Sequence, residues 1–74
     1  MSDTNPILTA RQKIVSSLVS ARLEAGMSQQ ELANRIGTKK PNISRIESGA
    51  CSPTIDTLAR IAAGLGKQLK IDFI

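Results

Sequence analysis

The stretch that most constrains this chain is SQQELANRIGTKKPNISRIESG, Ser28 to Gly49, because elementary rules fix within it where two short helices start, stop and turn. Ser28 and Glu31 form an S-x-x-E pattern: the hydroxyl accepts from the Glu31 N–H while the carboxylate accepts from the Ser28 N–H, satisfying two donors that a helix start leaves orphaned. Leu32, Ala33 and Ile36 recur behind that cap at helical spacing, and Gly37 stands where a left-handed residue ends the helix and turns the chain. A second helix resumes almost at once. Ile43 and Ile46 share its apolar side, whereas Lys40, Asn42, Ser44 and Arg45 occupy the other faces, and Gly49 closes it. Because the residue before a proline avoids the α region, this helix is expected to begin at Pro41, with Lys40 as a poor cap.

The flanking segments supply what such a pair needs for a core. A first helix is expected from about Thr9 to Ala25, with Ile14, Val15, Leu18, Ala21 and Leu23 directed inward and Gly26 ending it. Ser52-Pro53-Thr54 signals another start, with Thr54 as cap and Ile55, Leu58, Ile61, Ala62 and Leu65 as the apolar stripe before Gly66. Residues 1–8 read as an arm in which Asn5-Pro6 favours a turn or a helix start. After Gly66 the period changes: Leu69, Ile71 and Phe73 alternate with Gln68, Lys70 and Asp72, the pattern of a half-buried strand. A lone strand leaves its backbone groups unmet. It either pairs with the same strand of a second subunit about a two-fold axis or folds back onto its own domain.

Composition narrows the function. A chain of 74 residues makes one small domain, and its single aromatic, Phe73, leaves the core to Leu, Ile, Val and Ala. One cysteine, Cys51, permits no internal disulfide, and without histidine there is no zinc cluster; no metal or cofactor is expected, and a reducing cytoplasm is. No apolar run approaches the roughly 20 residues of a membrane span, and MSDTNPIL lacks a basic start followed by an apolar stretch, so neither insertion nor export is expected. The net charge of +4 is placed unevenly: Arg35, Lys39, Lys40 and Arg45 lie in a segment without acids, and the rest of the chain balances. Lys39 and Lys40 fall at a helix start, where the macrodipole is already positive and each is unfavourable by about 0.3–1 kcal/mol. Such a site invites phosphate.

From about Arg11 to Gly66 the chain resembles the helix-turn-helix family of phage-repressor and Cro type, also called the xenobiotic-response-element type, through MSQQELANRIG, NISRIESG and SPTIDTLARIAAGLG in the family's order. The resemblance implies an all-α fold, a lambda-repressor-like compact bundle of four helices. To it the sequence adds the short C-terminal β-strand, giving an arm (1–8), a DNA-binding domain (9–66) and a dimerisation strand (67–74). This strand departs from the family, whose commoner end is a fifth helix. By resemblance, Lys40, Pro41, Ser44 and Arg45 face base edges in the major groove, Lys39 and Asn42 lie nearer the phosphates, and Gln29 anchors the DNA backbone. Thr38 adds a phosphate contact or serves the turn. Pro41 replaces the usual polar residue and offers only an apolar contact, whereas Arg45 can donate two hydrogen bonds to guanine or serve as a phosphate contact. Ala50 and Cys51 stand where relatives often carry Lys or Arg. Arg22 and Glu47 match a pair that forms a largely buried salt bridge in the repressors.

The expected function is therefore sequence-specific binding of double-stranded DNA at an inverted-repeat operator, as a homodimer joined through Leu69, Ile71 and Phe73, and hence transcriptional regulation, chiefly repression. The alternative is an antitoxin or assembly partner that binds a toxin or other protein, with autoregulatory DNA binding; the strand favours it through strand addition. An enzyme is not expected, since histidine, paired carboxylates and a Gly-rich phosphate loop are all missing.

Overall fold

Each helix begins where a side chain or a proline answers for its first free N–H groups. The computed structural model describes residues 5–74 and contains four helices: α1 (Pro6–Glu24), α2 (Gln29–Ile36), α3 (Lys40–Glu47) and α4 (Ile55–Gly64). The Asn5 side chain accepts from the N–H groups of Ile7 (2.9 Å) and Leu8 (3.4 Å), and Pro6 stands in the first turn. α1 therefore starts at Pro6 rather than near Thr9, and residues 6–8 of the expected arm are helical; residues 1–4 lie outside the described residues. The capping box of α2 forms as the sequence requires, with Glu31 N–H donating to Ser28 Oγ at 3.0 Å and Ser28 N–H to Glu31 Oε1 at 2.7 Å. Hydrogen bonding to the carboxylate, from the Ser28 backbone N–H first and the Ser28 hydroxyl second, holds the Glu31 carboxyl below its ordinary range.

The short turn depends on Gly37, whose φ of 77° is reached without the strain a Cβ would bring. α3 then starts one residue before Pro41: Lys39 is the cap and Lys40 is helical. In a first turn the proline ring meets no helical carbonyl and its missing N–H would have gone unpaired, which outweighs the preference of the preceding residue for extended backbone. Thr54 caps α4 by accepting from Thr57 N–H at 3.1 Å.

Leu18 of α1, Leu32 and Ala33 of α2, Ile43 and Ile46 of α3, and Ile61 of α4 form the buried core, with Met27, Ile36 and Leu65 packed against it. Burying one such Leu or Ile stabilises the fold by about 1.5–3 kcal/mol. α4 lies close against α2 because Gly64 has no side chain; a Cβ there would stand 2.6 Å from Ile36 Cγ2. Two expected core residues face outward. Leu23 is exposed, because its neighbour Arg22 takes the inward direction on α1, and so is Ile55, at the edge where α4 begins.

The C-terminal β-strand does not form among the described residues: residues 67–74 carry no regular structure. A strand is held by a neighbouring strand, and the rest of the described chain, being helices and short turns, offers none. Leu69 alone of the alternating set is half-buried, at a groove between α1 and α4 lined by Ile14, Leu18, Leu58 and Leu65, whereas Ile71 and Phe73 are exposed.

Candidate nucleic-acid interface

α3 is half core and half display. Ile43 and Ile46 anchor it, and Lys40, Pro41, Asn42, Ser44 and Arg45 are all exposed on its remaining surface, with Lys39 exposed just before it. Its eight residues give a rod of about 12 Å, the width of the major groove of B-form DNA. Among the described residues none of Lys39, Lys40 and Arg45 enters an ion pair; the pairs that form are Arg22 with Glu47 and Lys70 with Asp72. Lys39 and Lys40 thus add positive charge at the positive end of the α3 dipole, whereas Arg45 stands in its last turn.

A chain of hydrogen bonds crosses this face. Asn42 Nδ2 donates to Thr38 Oγ1 at 2.8 Å, and Arg45 Nη1 donates to Asn42 Oδ1 at 3.2 Å. Thr38 is half-buried in the turn. The sequence brought these residues to one region without indicating that they bond to one another.

Behind the display lies a buried ionic clamp, with both side chains about one-tenth exposed. Arg22 Nε and Nη2 donate to Glu47 Oε2 (2.6 Å) and Oε1 (2.9 Å), and Arg22 Nη1 donates to the Met27 carbonyl at 2.8 Å. The guanidinium ties α1, the α1–α2 connection and the last residue of α3 together. The hydrogen bond to Glu47 raises the Arg22 pKa above the usual arginine value. Burial pushes Glu47 upward, but the bonds from Arg22 and Gln29, with the charge of Arg22, outweigh it and leave the carboxyl below its ordinary value.

Gln29 belongs to this clamp. Its Nε2 donates to Glu47 Oε1 at 2.9 Å and the residue is half-buried, so its amide braces α2 against the end of α3. A bond between residues so far apart in the chain leaves no periodic signal. The same holds for Arg60, whose Nη2 reaches the Ile36 carbonyl at 3.4 Å where α2 ends. Leu69, Ile71 and Phe73 stand apart from this face, in the tail after α4. Among the described residues no group of His, Cys, Asp and Glu is placed to hold a metal, and no helix is long and apolar enough to cross a membrane.

The chain is similar to known proteins. A family described as helix-turn-helix matches residues 18–71. An HTH-type transcriptional regulator of Haemophilus influenzae is 39% identical over 61 residues, 82% of this chain and 62% of its own length. Antitoxin HicB 1 of Photorhabdus laumondii is 39% identical over 54 residues, 73% of this chain and 35% of its own length. Antitoxin HigA1 of Mycobacterium tuberculosis is 32% identical over 60 residues, 81% of this chain and 40% of its own length. The chain thus spans from about a third to three fifths of the length of these curated relatives. A solved structure, a toxin-antitoxin module from Streptococcus pneumoniae, aligns over 100% of this chain and 84% of its own, with a TM-score of 0.74 at 37% identity.

Proposed function

The chain belongs to the helix-turn-helix family, of the xenobiotic-response-element type, and from that membership we propose that it binds an inverted-repeat operator on double-stranded DNA as a homodimer and represses transcription by occupying a promoter. The observation that carries the reading is the exposed set Lys39, Lys40 and Arg45, in no ion pair among the described residues, at the start and on the outer face of a helix locked from behind by Ile43, Ile46 and the Arg22–Glu47 clamp. Rigid support matters, because a base contact discriminates only when its donor is held in place. In this reading Lys39 and Asn42 lie nearer the phosphates, Lys40, Ser44 and Arg45 face base edges, with Arg45 donating to guanine, and Pro41 offers an apolar contact to a thymine methyl. Binding is the whole of the activity and involves no catalytic step, and the cytoplasm, where the DNA lies, is its place of action.

The dimer contact is assigned to the tail, whose exposed Ile71 and Phe73 would be covered by a second copy; two reading helices about 34 Å apart then match successive half-sites. With about 6–10 phosphate contacts per dimer, affinity falls by about 10³–10⁵ between 50 and 200 mM salt. A flat salt dependence rejects the DNA reading, and a chain truncated after Lys67 that still sediments as a dimer rejects the tail as the contact.

The antitoxin names among the relatives and the toxin-antitoxin module favour a second reading, in which the chain also binds a toxin and its DNA binding is autoregulatory. Co-purification of a neighbouring-gene product with the tagged chain supports it, and recovery of the chain free of any partner counts against it.

A further inference from the structure

We propose that Asn42 positions Arg45 rather than reading a base itself, and that Thr38 anchors it, so that base preference at the Arg45 position is set partly from the turn outside the helix. The inference rests on the DNA-binding reading above. A guanidinium only donates, so its 3.2 Å bond requires the Asn42 carbonyl oxygen and fixes which way the amide points. The amide nitrogen is then left facing Thr38 Oγ1, where it is found at 2.8 Å. An asparagine that reads adenine uses its oxygen and its nitrogen together on one base edge. Here the two ends are turned to different neighbours, one before it in the chain and one after.

The bond to Asn42 uses Arg45 Nη1 and leaves the Nε–Nη2 edge for an acceptor pair. That is the edge with which Arg22 grips both Glu47 oxygens in the same molecule. A long arginine side chain held in this way loses less rotamer freedom when it docks, and its fork arrives already oriented. Thr38 Oγ1 accepts the hydrogen bond from the Asn42 amide and so holds the amide in the orientation that Arg45 needs.

The test is a set of binding titrations on an operator and its single-base variants, using the full chain. Thr38→Val keeps the branched shape and removes the acceptor; Thr38→Ser keeps the oxygen. Discrimination at the base pair whose preference disappears in Arg45→Ala is expected to fall by roughly two- to tenfold in Thr38→Val, the range of one net hydrogen bond. Other positions stay unchanged, Thr38→Ser keeps the wild-type preference, and Thr38→Val adds nothing in an Arg45→Ala background. Thermal melting of each variant separates these effects from loss of fold. A uniform loss across all sequences in Thr38→Val makes Thr38 a phosphate ligand and overturns the inference, as does full additivity with Arg45→Ala. Failure of the wild-type chain to prefer any sequence overturns the DNA reading itself, and is told apart because no variant is involved.

Discussion

Arg22 and Arg45 are the same side chain put to opposite uses. Arg22 is buried, with its fork closed on Glu47 and its remaining nitrogen on the Met27 carbonyl, whereas Arg45 is exposed and, among the described residues, its side chain bonds only to Asn42. The difference is one of commitment. A buried guanidinium must satisfy its donors within the fold or carry a large desolvation penalty, so Arg22 belongs to stability. A solvated one is stable alone and keeps its donors for a ligand. The two are linked through α3, whose last residue is the partner of Arg22 and whose outer face carries Arg45.

The contrast breaks most visibly at the clamp. Glu47→Ala leaves the Arg22 charge buried without compensation and is expected to cost about 3–5 kcal/mol of stability in urea denaturation. An unchanged midpoint would place the pair in solvent. Arg45→Ala is expected to leave the melting temperature unchanged and to lose about 1–3 kcal/mol of discrimination at one base pair per half-site. A uniform loss on every sequence would make Arg45 a backbone contact and erase the difference in role on the DNA side.

A smaller effect comes from protons. The Glu47 carboxyl lies below its ordinary value of 4.5 in the folded chain, so the unfolded chain takes up the proton first as the pH falls. The stability Glu47 contributes is complete above the unfolded value and is lost as the pH drops through the folded one. Denaturation midpoints followed below pH 5 therefore fall less steeply in Glu47→Gln than in the wild type; equal slopes would assign the acid sensitivity to other carboxylates.

What the sequence made legible was whatever local chemistry dictates. The Ser28–Glu31 capping box, the Gly37 turn, the inward Leu32, Ile43 and Ile46, and the Thr54 cap follow from spacing and residue type, and all are found. The buried Arg22–Glu47 pair was reached through resemblance, because two charged residues on separate helices give no periodic signal. The strand failed for a related reason. Alternation in Leu69, Ile71 and Phe73 marks a surface able to pair, but pairing requires a second edge, and the described part of one chain has none. Gln29 in the clamp, Arg60 at the end of α2 and the close approach at Gly64 are properties of the assembled bundle. Leu23 shows the limit of spacing alone, since the apolar residue turned outward and the charged neighbour turned in.

The most direct measurement is selection of bound fragments from random duplex DNA by the wild-type chain at a fixed salt concentration. The account predicts enrichment of an inverted repeat with half-site centres about 10 base pairs apart and one guanine in each half that Arg45→Ala no longer selects. Recovered fragments with no shared sequence would contradict it.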